Sequence, residues 1–428
     1  MTEAVDGAGS GKGGGSLFGW YGDLGGPERR TFWACIGGWG LDAMDVQIYS
    51  LVIPALIAVW GITTEQAGAV ATAALVTSSF GGWIAGWLSD RIGRVRTLQI
   101  AIAWFAGFTF LCGLCQTYEQ MFAARALMGL GFGGEWAAGA VLLAESVPPK
   151  HRGKALGSMQ ASWAVGWGVA VVASAILFSI LPQEFAWRAL FFVGLTPALL
   201  VVFVRRLVGE SEVYTRSRKA LAEKGEKVSV LEIFRPPLLR TTILGGILGM
   251  GAQGGYSAII TWLPTFLKNE RGLSVIGSSG YLGVLIVGSF FGYMTGAYLG
   301  DAIGRRNTFL VFAIGAIVVV VGYTMAPFGN AAMLVLGAPL GFFGAGVFAV
   351  QGAFYSEQFP TRVRGVGQGF TYNLGRGLGA FVPYVVGALA ARLGGLGVAL
   401  GVFAAVSYAV MAVAAYMLPE TKGKVLEP

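Results

Sequence analysis

Two aspartates, Asp42 and Asp45, sit three positions apart inside "WGLDAMDVQIYSLVIPALIAVW", residues 39–60, a run that otherwise reads as an apolar helix. Three residues of helix rise roughly 4.5 Å, so the two carboxyls lie on neighbouring faces and can share one environment. Two carboxylates close together in low dielectric cannot both ionise cheaply, which makes the pair a candidate for taking up and releasing a proton. Either acid alone could instead cap a helix or pair with an arginine. Arg125, about four residues into a later apolar run, falls at the depth of Asp45 if both helices stand near vertical. A guanidinium never deprotonates, so it suits switching an acid's proton affinity rather than carrying the proton. Glu135, ten residues on, is a second proton site or relay, or else a hydrogen-bonding residue alone. Arg376, in "FTYNLGRGLGAF", has no acid of its own half at its depth. Its balancing charge is therefore a carboxylate from the other half or an anionic ligand held bidentately. Asn373, Tyr372, Gln253, Tyr256 and Gln351, with Gln160 and Trp163 from the first half, are the nearby groups that could orient a substrate.

The chain that positions these groups has 428 residues, 55% of them hydrophobic and 12% charged, with a mean hydropathy of +0.67. That is the composition of an integral membrane protein. Twelve apolar runs, near 32–60, 67–88, 97–115, 120–146, 154–181, 187–206, 241–268, 275–299, 308–326, 331–358, 366–391 and 396–418, are long enough to cross a hydrocarbon core. Unsatisfied backbone is so costly in lipid that all twelve are read as helices. Most of the 68 glycines lie inside these runs, where small residues let helix backbones approach closely. Residues 1–16 have nothing to bury and read as disordered, without the basic and apolar regions of a cleavable signal.

Of the 30 Lys and Arg residues, Arg125 and Arg376 lie well inside spans, four (Arg188, Lys268, Arg271 and Arg392) belong with the loops after odd-numbered spans, and 24 fall in the tails and the other loops. The bias places both termini in the cytoplasm of a multi-pass inner-membrane protein. The net charge of +8 is spread over these short loops, so topology explains it and nucleic acid is not an expected partner. Cys112 and Cys115 form a C-x-x-C within a span, where small packing residues are a better reading than redox chemistry. The single histidine, His151, lies in a loop, and no G-x-x-x-x-G-K-[ST] phosphate loop is present. The expectation is therefore not an enzyme, with no metal or cofactor, driven by an ion gradient. Protons are preferred to sodium because ionisable residues rather than broken helices carry the polarity.

The same punctuation occurs twice. "GWLSDRIGRVR" (86–96) aligns with "AYLGDAIGRRN" (297–307), setting Asp90 against Asp301 and Arg94 against Arg305, 211 residues apart. "ESVPPKHRG" (145–153) aligns with "EQFPTRVRG" (357–365), setting Glu145 against Glu357 and Arg152 against Arg364, 212 apart. The duplication predicts a flexible tail (1–30), a six-helix bundle (31–206), a cytoplasmic connector (207–239), a second bundle (240–418) and a tail (419–428). Two parallel halves suit alternating access about a midplane site. The matched acids and arginines can form a cytoplasmic charge latch; plain positive-inside anchoring explains the arginines but not the recurring acids.

These motifs, with twelve spans and a central loop, resemble the major facilitator superfamily across the whole chain. The Asp-x-x-Asp of the first span, "RALMGLGFGGEWAAGAVLLAESVPPKHRGKALG" and "WRALFFVGLTPALL" leading into "GESEVY" are similar to its proton-coupled carboxylate branch, the sialate and lactate symporters, with the aromatic acid symporters slightly further off. The resemblance implies co-transport of a small organic monocarboxylate with protons by a monomer in the lipid bilayer, with Arg125 in the family's proton-coupling motif. "PETKG" (419–423) is more typical of sugar and organic-ion porters, which keeps such a porter as the alternative. Uncoupled facilitated diffusion also stays open. A non-transporting nutrient sensor on the same fold would be expected to add a long signalling tail.

Overall fold

The computed structural model describes residues 19–148, 152–195, 230–360 and 363–422. The predicted boundary at 206/207 and most of the predicted connector lie outside these residues. In the first half the helices are α1 (Gly26–Trp60), α2 (Thr64–Ile92), α3 (Arg94–Leu114), α4 (Tyr118–Ser146), α5 (Arg152–Ile180) and α6 (Gln183–Val193). The second half holds α7 (Leu238–Asn269), α8 (Val275–Ile303), α9 (Arg305–Met325), α10 (Asn330–Gln358), α11 (Arg364–Gly379), α12 (Phe381–Leu389) and α13 (Leu396–Met417). Nine of these are long and apolar enough to cross a membrane, and no strand occurs among the described residues. This is the twelve-span, two-repeat architecture, with one span divided between α11 and α12.

Local chemistry sets the helix ends. Thr117 caps α4 by accepting from Gln120 N, and Ser274 caps α8 by accepting from Gly277 N. Between α2 and α3 the chain turns on Gly93 at φ 104°, and between α8 and α9 on Gly304 at φ 95°, a conformation that side-chain-bearing residues rarely adopt. These are the two glycines that the repeat aligns. The eleventh span does not run unbroken from 366 to 391 as expected. Pro383 lacks an N–H and its ring crowds the carbonyl four residues back, so the helix stops at Gly379 and restarts at Phe381. Donors from neighbouring helices meet the carbonyls there: Thr72 Oγ1 donates to Ala380 O at 2.7 Å and Trp262 Nε1 to Pro383 O at 2.9 Å.

Packing repeats with the sequence. In the first half α2 and α3 pack on α4, and α1 on α5; in the second α8 and α9 pack on α10, and α7 on α11. The halves meet where α2 lies on α11 and α12, α5 on α8, and α1 on α7. Close backbone approach drives the tightest pairs. A Cβ on Gly133 would overlap the Ser78 carbonyl, and one on Gly129 the Ala74 carbonyl; at the matching position, a Cβ on Gly341 would overlap the Leu285 carbonyl. At the end of the bundle opposite the connector, Thr64 Oγ1 donates to Gly387 O at 3.0 Å and Tyr384 OH to Glu65 Oε1 at 2.9 Å, joining the halves.

Gly133→Ala should lower stability by about 1–3 kcal/mol through forced separation of α2 and α4. Gly107→Ala, whose Cβ meets nothing within 4 Å, should be neutral or stabilising by up to about 1 kcal/mol from helix propensity. Thermal melts in detergent compare the two.

Candidate functional site

Five charged residues are buried among the described residues, each no more than 5% exposed: Asp42 and Asp45 on α1, Arg125 and Glu135 on α4, and Arg376 on α11. Arg125 Nη1 lies 3.7 Å from Asp45 Oδ2, and its guanidinium sits 5.0 Å from the centre of the Tyr49 ring. Thr109 of α3 faces the Asp45 carboxyl, and a Cβ on Gly194 would stand 3.3 Å from Asp45 Oδ1. Asp45 is thus walled in beside its cation.

Asp42 has a different neighbour. Neither of its oxygens receives a donor from the rest of the protein, and the group it meets is the Glu135 carboxyl. Bare carboxylates repel at that range, whereas one proton held between them turns the contact into a hydrogen bond. The two aspartates therefore form two sites rather than one. They leave α1 on diverging faces, and the long Arg125 and Glu135 side chains reach them from points ten residues apart on α4.

Arg376 stands where the halves meet. Its guanidinium lies 4.3 Å from the centre of the Phe132 ring of α4 and 5.8 Å from that of Tyr372 on its own helix. Its Nε and Nη1 have no acceptor in the protein, and Asp42, across the interface, is the acid within its electrostatic reach. A buried cation with unused donors is suited to an anion. The expected polar neighbours divide into two groups. Gln253 Nε2 donates to Tyr372 OH at 3.3 Å, Trp163 Nε1 donates across the halves to Tyr256 OH at 3.0 Å, and Gln160 Oε1 accepts from Trp136 Nε1 at 3.4 Å. Gln351 instead turns to Tyr355 OH at 2.9 Å, and Asn373 Nδ2 donates to Gly369 O of its own helix at 3.0 Å, with its side chain against Gly82 of α2. Asn373 Nδ2 is taken up by its own helix, while Gln351 Oε1 stays buried without a partner.

Trp136, Trp163, Trp167 and Phe370 are the aromatics the sequence offers as cavity lining; Trp39 and Phe132 are the members of the wall it did not single out. Trp39 stacks on Phe132 with ring centres 6.3 Å apart and lies 4.9 Å from Trp163, while Trp136 stacks on Tyr372 at 4.3 Å. The signal was available, because Phe132 and Trp136 on α4, like Tyr372 and Arg376 on α11, are four residues apart and so share a helix face. Trp136, Gln160 and Phe370 are partly exposed and lie on the connector side of Arg376. On the opposite side, a cavity of about 30 Å³ is lined by Gln47, Tyr49, Arg125, Phe132 and Thr261 among others.

The expected latch is described in part. The side chains of Asp90, Glu145, Arg152, Asp301 and Arg364 lie outside the described residues, and Arg94 is partly buried at the start of α3. In the second half Arg305 Nη2 meets Glu357 Oε1 at 3.0 Å. The "PETK" segment closes over this pair: Thr421 Oγ1 donates to Glu357 Oε2 at 2.5 Å, and Glu420 accepts from the Arg305 and Arg306 N–H groups at 2.9 and 3.0 Å, capping α9. Partial burial pushes the Glu420 carboxyl up, but the N–H groups of Lys422, Arg305, Thr421 and Arg306 together hold it below its ordinary value of 4.5.

Residues 37–383 match the family model described as the Major Facilitator Superfamily. The chain is 43% identical over 412 residues to a probable 4-methylmuconolactone transporter of Cupriavidus pinatubonensis, covering 96% of this chain and 95% of that protein. It is 31% identical over 356 residues to the cis,cis-muconate transport protein of Acinetobacter baylyi, covering 82% and 84%. Among solved structures, a D-xylose-proton symporter aligns with a TM-score of 0.73 at 19% identity, over 93% of this chain and 99% of that one.

Asp45→Asn should destabilise the protein by about 3–5 kcal/mol, because it strands the buried Arg125. Asp42→Asn should leave the melting temperature unchanged or raise it, since it removes one of two facing acids; thermal unfolding at pH 7 separates the cases. Glu420→Gln should cost about 1 kcal/mol at neutral pH. A carboxyl held below its ordinary value of 4.5 contributes fully above that value and loses its contribution as pH falls through its lowered folded value, so this deficit should shrink on acidification below 4.5.

Proposed function

Because the chain belongs to the Major Facilitator Superfamily, we propose that this transporter brings an organic monocarboxylate across the bacterial inner membrane together with protons. Arg376 is the observation that carries the reading: a guanidinium buried between the halves, with Nε and Nη1 lacking protein acceptors. A sugar or an organic cation would leave that charge uncompensated. The relatives named for methylmuconolactone and muconate support an organic acid as cargo.

Charge counting supports the coupling. Three buried acids and two buried arginines carry a net charge of −1 when all are ionised. One proton, resting between Asp42 and Glu135, brings the set to zero. A carboxylate arriving at Arg376 makes it negative again, and a further proton on Asp45 or on the Asp42/Glu135 pair restores neutrality. Neutral loaded and empty carriers can each cross the low-dielectric closed state, whereas the half-loaded ones carry a charge that resists it. One proton then accompanies each monocarboxylate. Protonating Asp45 also loosens its hold on Arg125, which frees the first bundle to rock against the second. The Lys and Arg bias toward the connector side supports cytoplasmic termini.

In proteoliposomes with an acidic exterior, uptake of labelled monocarboxylates should follow the pH gradient and move no net charge, so an imposed voltage at fixed pH should not drive it. Arg376→Ala should abolish binding. Asp45→Asn should lose gradient-driven accumulation and keep counterflow. Full pH-driven uptake by the Asp42→Asn, Asp45→Asn double variant would refute the mechanism.

A further inference from the structure

The Trp136 and Tyr372 rings face each other nearly flat, at 11° and 4.3 Å between centres, and they belong to opposite halves of the molecule. Each ring is anchored within its own half. Trp136 Nε1 donates to Gln160 Oε1 of α5, and Tyr372 OH accepts from Gln253 Nε2 of α7. When the halves part, these two hydrogen bonds travel with their bundles and the stack is what separates. Two oriented faces are then left as the walls of a slot. Its floor is fixed: Tyr372 and Trp136 lie one helical turn, roughly 5–6 Å, to the connector side of Arg376 and Phe132 respectively, and the guanidinium covers Phe132. A carboxylate held at Arg376 would project whatever it carries into that slot.

We infer that the Trp136/Tyr372 pair is a specificity clamp that selects carboxylates bearing a planar, unsaturated body, such as an aromatic ring, a conjugated diene or an unsaturated lactone, over saturated ones of the same size. The inference rests on the reading of Arg376 as the anion site and narrows its ligand. A flat π system is about as thick as one ring-to-ring spacing, so the clamp closes on it by parting least and regains two stacking faces for the one it gives up. A puckered saturated ring is thicker, holds the bundles further apart and offers no π face. The distance of one helical turn matches a carboxylate attached directly to a six-membered ring or to a short conjugated chain.

The test uses two matched pairs of monocarboxylates on the purified full chain, benzoate against cyclohexanecarboxylate and sorbate against hexanoate, read by calorimetry and by competition for counterflow in proteoliposomes. In the wild type the unsaturated member of at least one pair should bind roughly five- to tenfold more tightly. Trp136→Leu and Tyr372→Leu should bring that ratio close to one, chiefly by weakening the unsaturated ligand, while Trp136→Phe should preserve it. Equal affinities within both pairs in the wild type, or a ratio unchanged in a folded Trp136→Leu protein, would overturn the clamp and leave the anion site standing. Binding of both members that survives Arg376→Ala would overturn the anion site and the clamp with it. Because the wild-type comparison needs no variant, a substitution that fails to fold does not shield the idea.

Discussion

The cost of charge in hydrocarbon governs this molecule. An isolated ion in a bilayer core is expensive enough that a bundle keeps one only if something nearby compensates it. Here the compensation is partial by construction. Asp45 and Arg125 offset each other within one half; Asp42 and Glu135 face each other and would share a proton; and Arg376, in the other half, has Asp42 within electrostatic reach across the interface. A protein whose purpose was stability alone would gain by replacing such a set with apolar side chains of similar volume. Retaining it leaves the internal energy sensitive to any charge that enters the bundle, which in the proposed cycle means a proton and an anion.

That dependence needs rigid bodies to act on. Glycines at the α2–α4 contact and its counterpart between α8 and α10 bring backbones so close that neither pair can slide without a clash. Between the halves such a backbone approach recurs at Gly68 and Gly387, and the other contacts include hydroxyls on carbonyls, a tyrosine on a glutamate, an indole on a tyrosine and a stacked pair of rings. The polar and ring contacts of the seam are weak singly and can be remade elsewhere, which suits the proposed rocking of one half against the other.

Much of this was legible in the sequence, for definite reasons. Hydrophobic run length dictates helices in lipid, and the repeated "DRIGR" and "DAIGR" turns exposed the duplication because Gly93 and Gly304 have backbone angles that few other residues tolerate. The depth of Asp45 and Arg125 could be counted along two helices. What stayed hidden required knowledge of which faces turn toward each other. Asp42 and Asp45 look like a pair because they are near in sequence, yet α4 supplies each with a different partner. The break in the eleventh span was signalled by Pro383, but an apolar run conceals where a helix restarts. Asn373 and Gln351 look like ligand groups beside Arg376, although their hydrogen bonds run to Gly369 and Tyr355. Trp136 and Trp163 could be singled out as cavity lining, but Trp39 and Phe132 were masked by the abundance of aromatics, 12 Trp, 14 Tyr and 28 Phe in all.

The broken span also bears on which ion couples. A helix interrupted in mid-membrane frees carbonyl oxygens, and freed carbonyls are what a sodium site is made of. Beside the break, Ala380 O and Pro383 O accept from Thr72 and Trp262, which ties the two pieces of the span to α2 and α7. Neither oxygen of Asp42 receives a donor, and neither does Glu135 Oε2. Two facing carboxyls are by themselves poor ligands for a cation that demands five or six oxygens, whereas one shared proton turns their repulsion into a hydrogen bond, which is why the proposed coupling runs on protons.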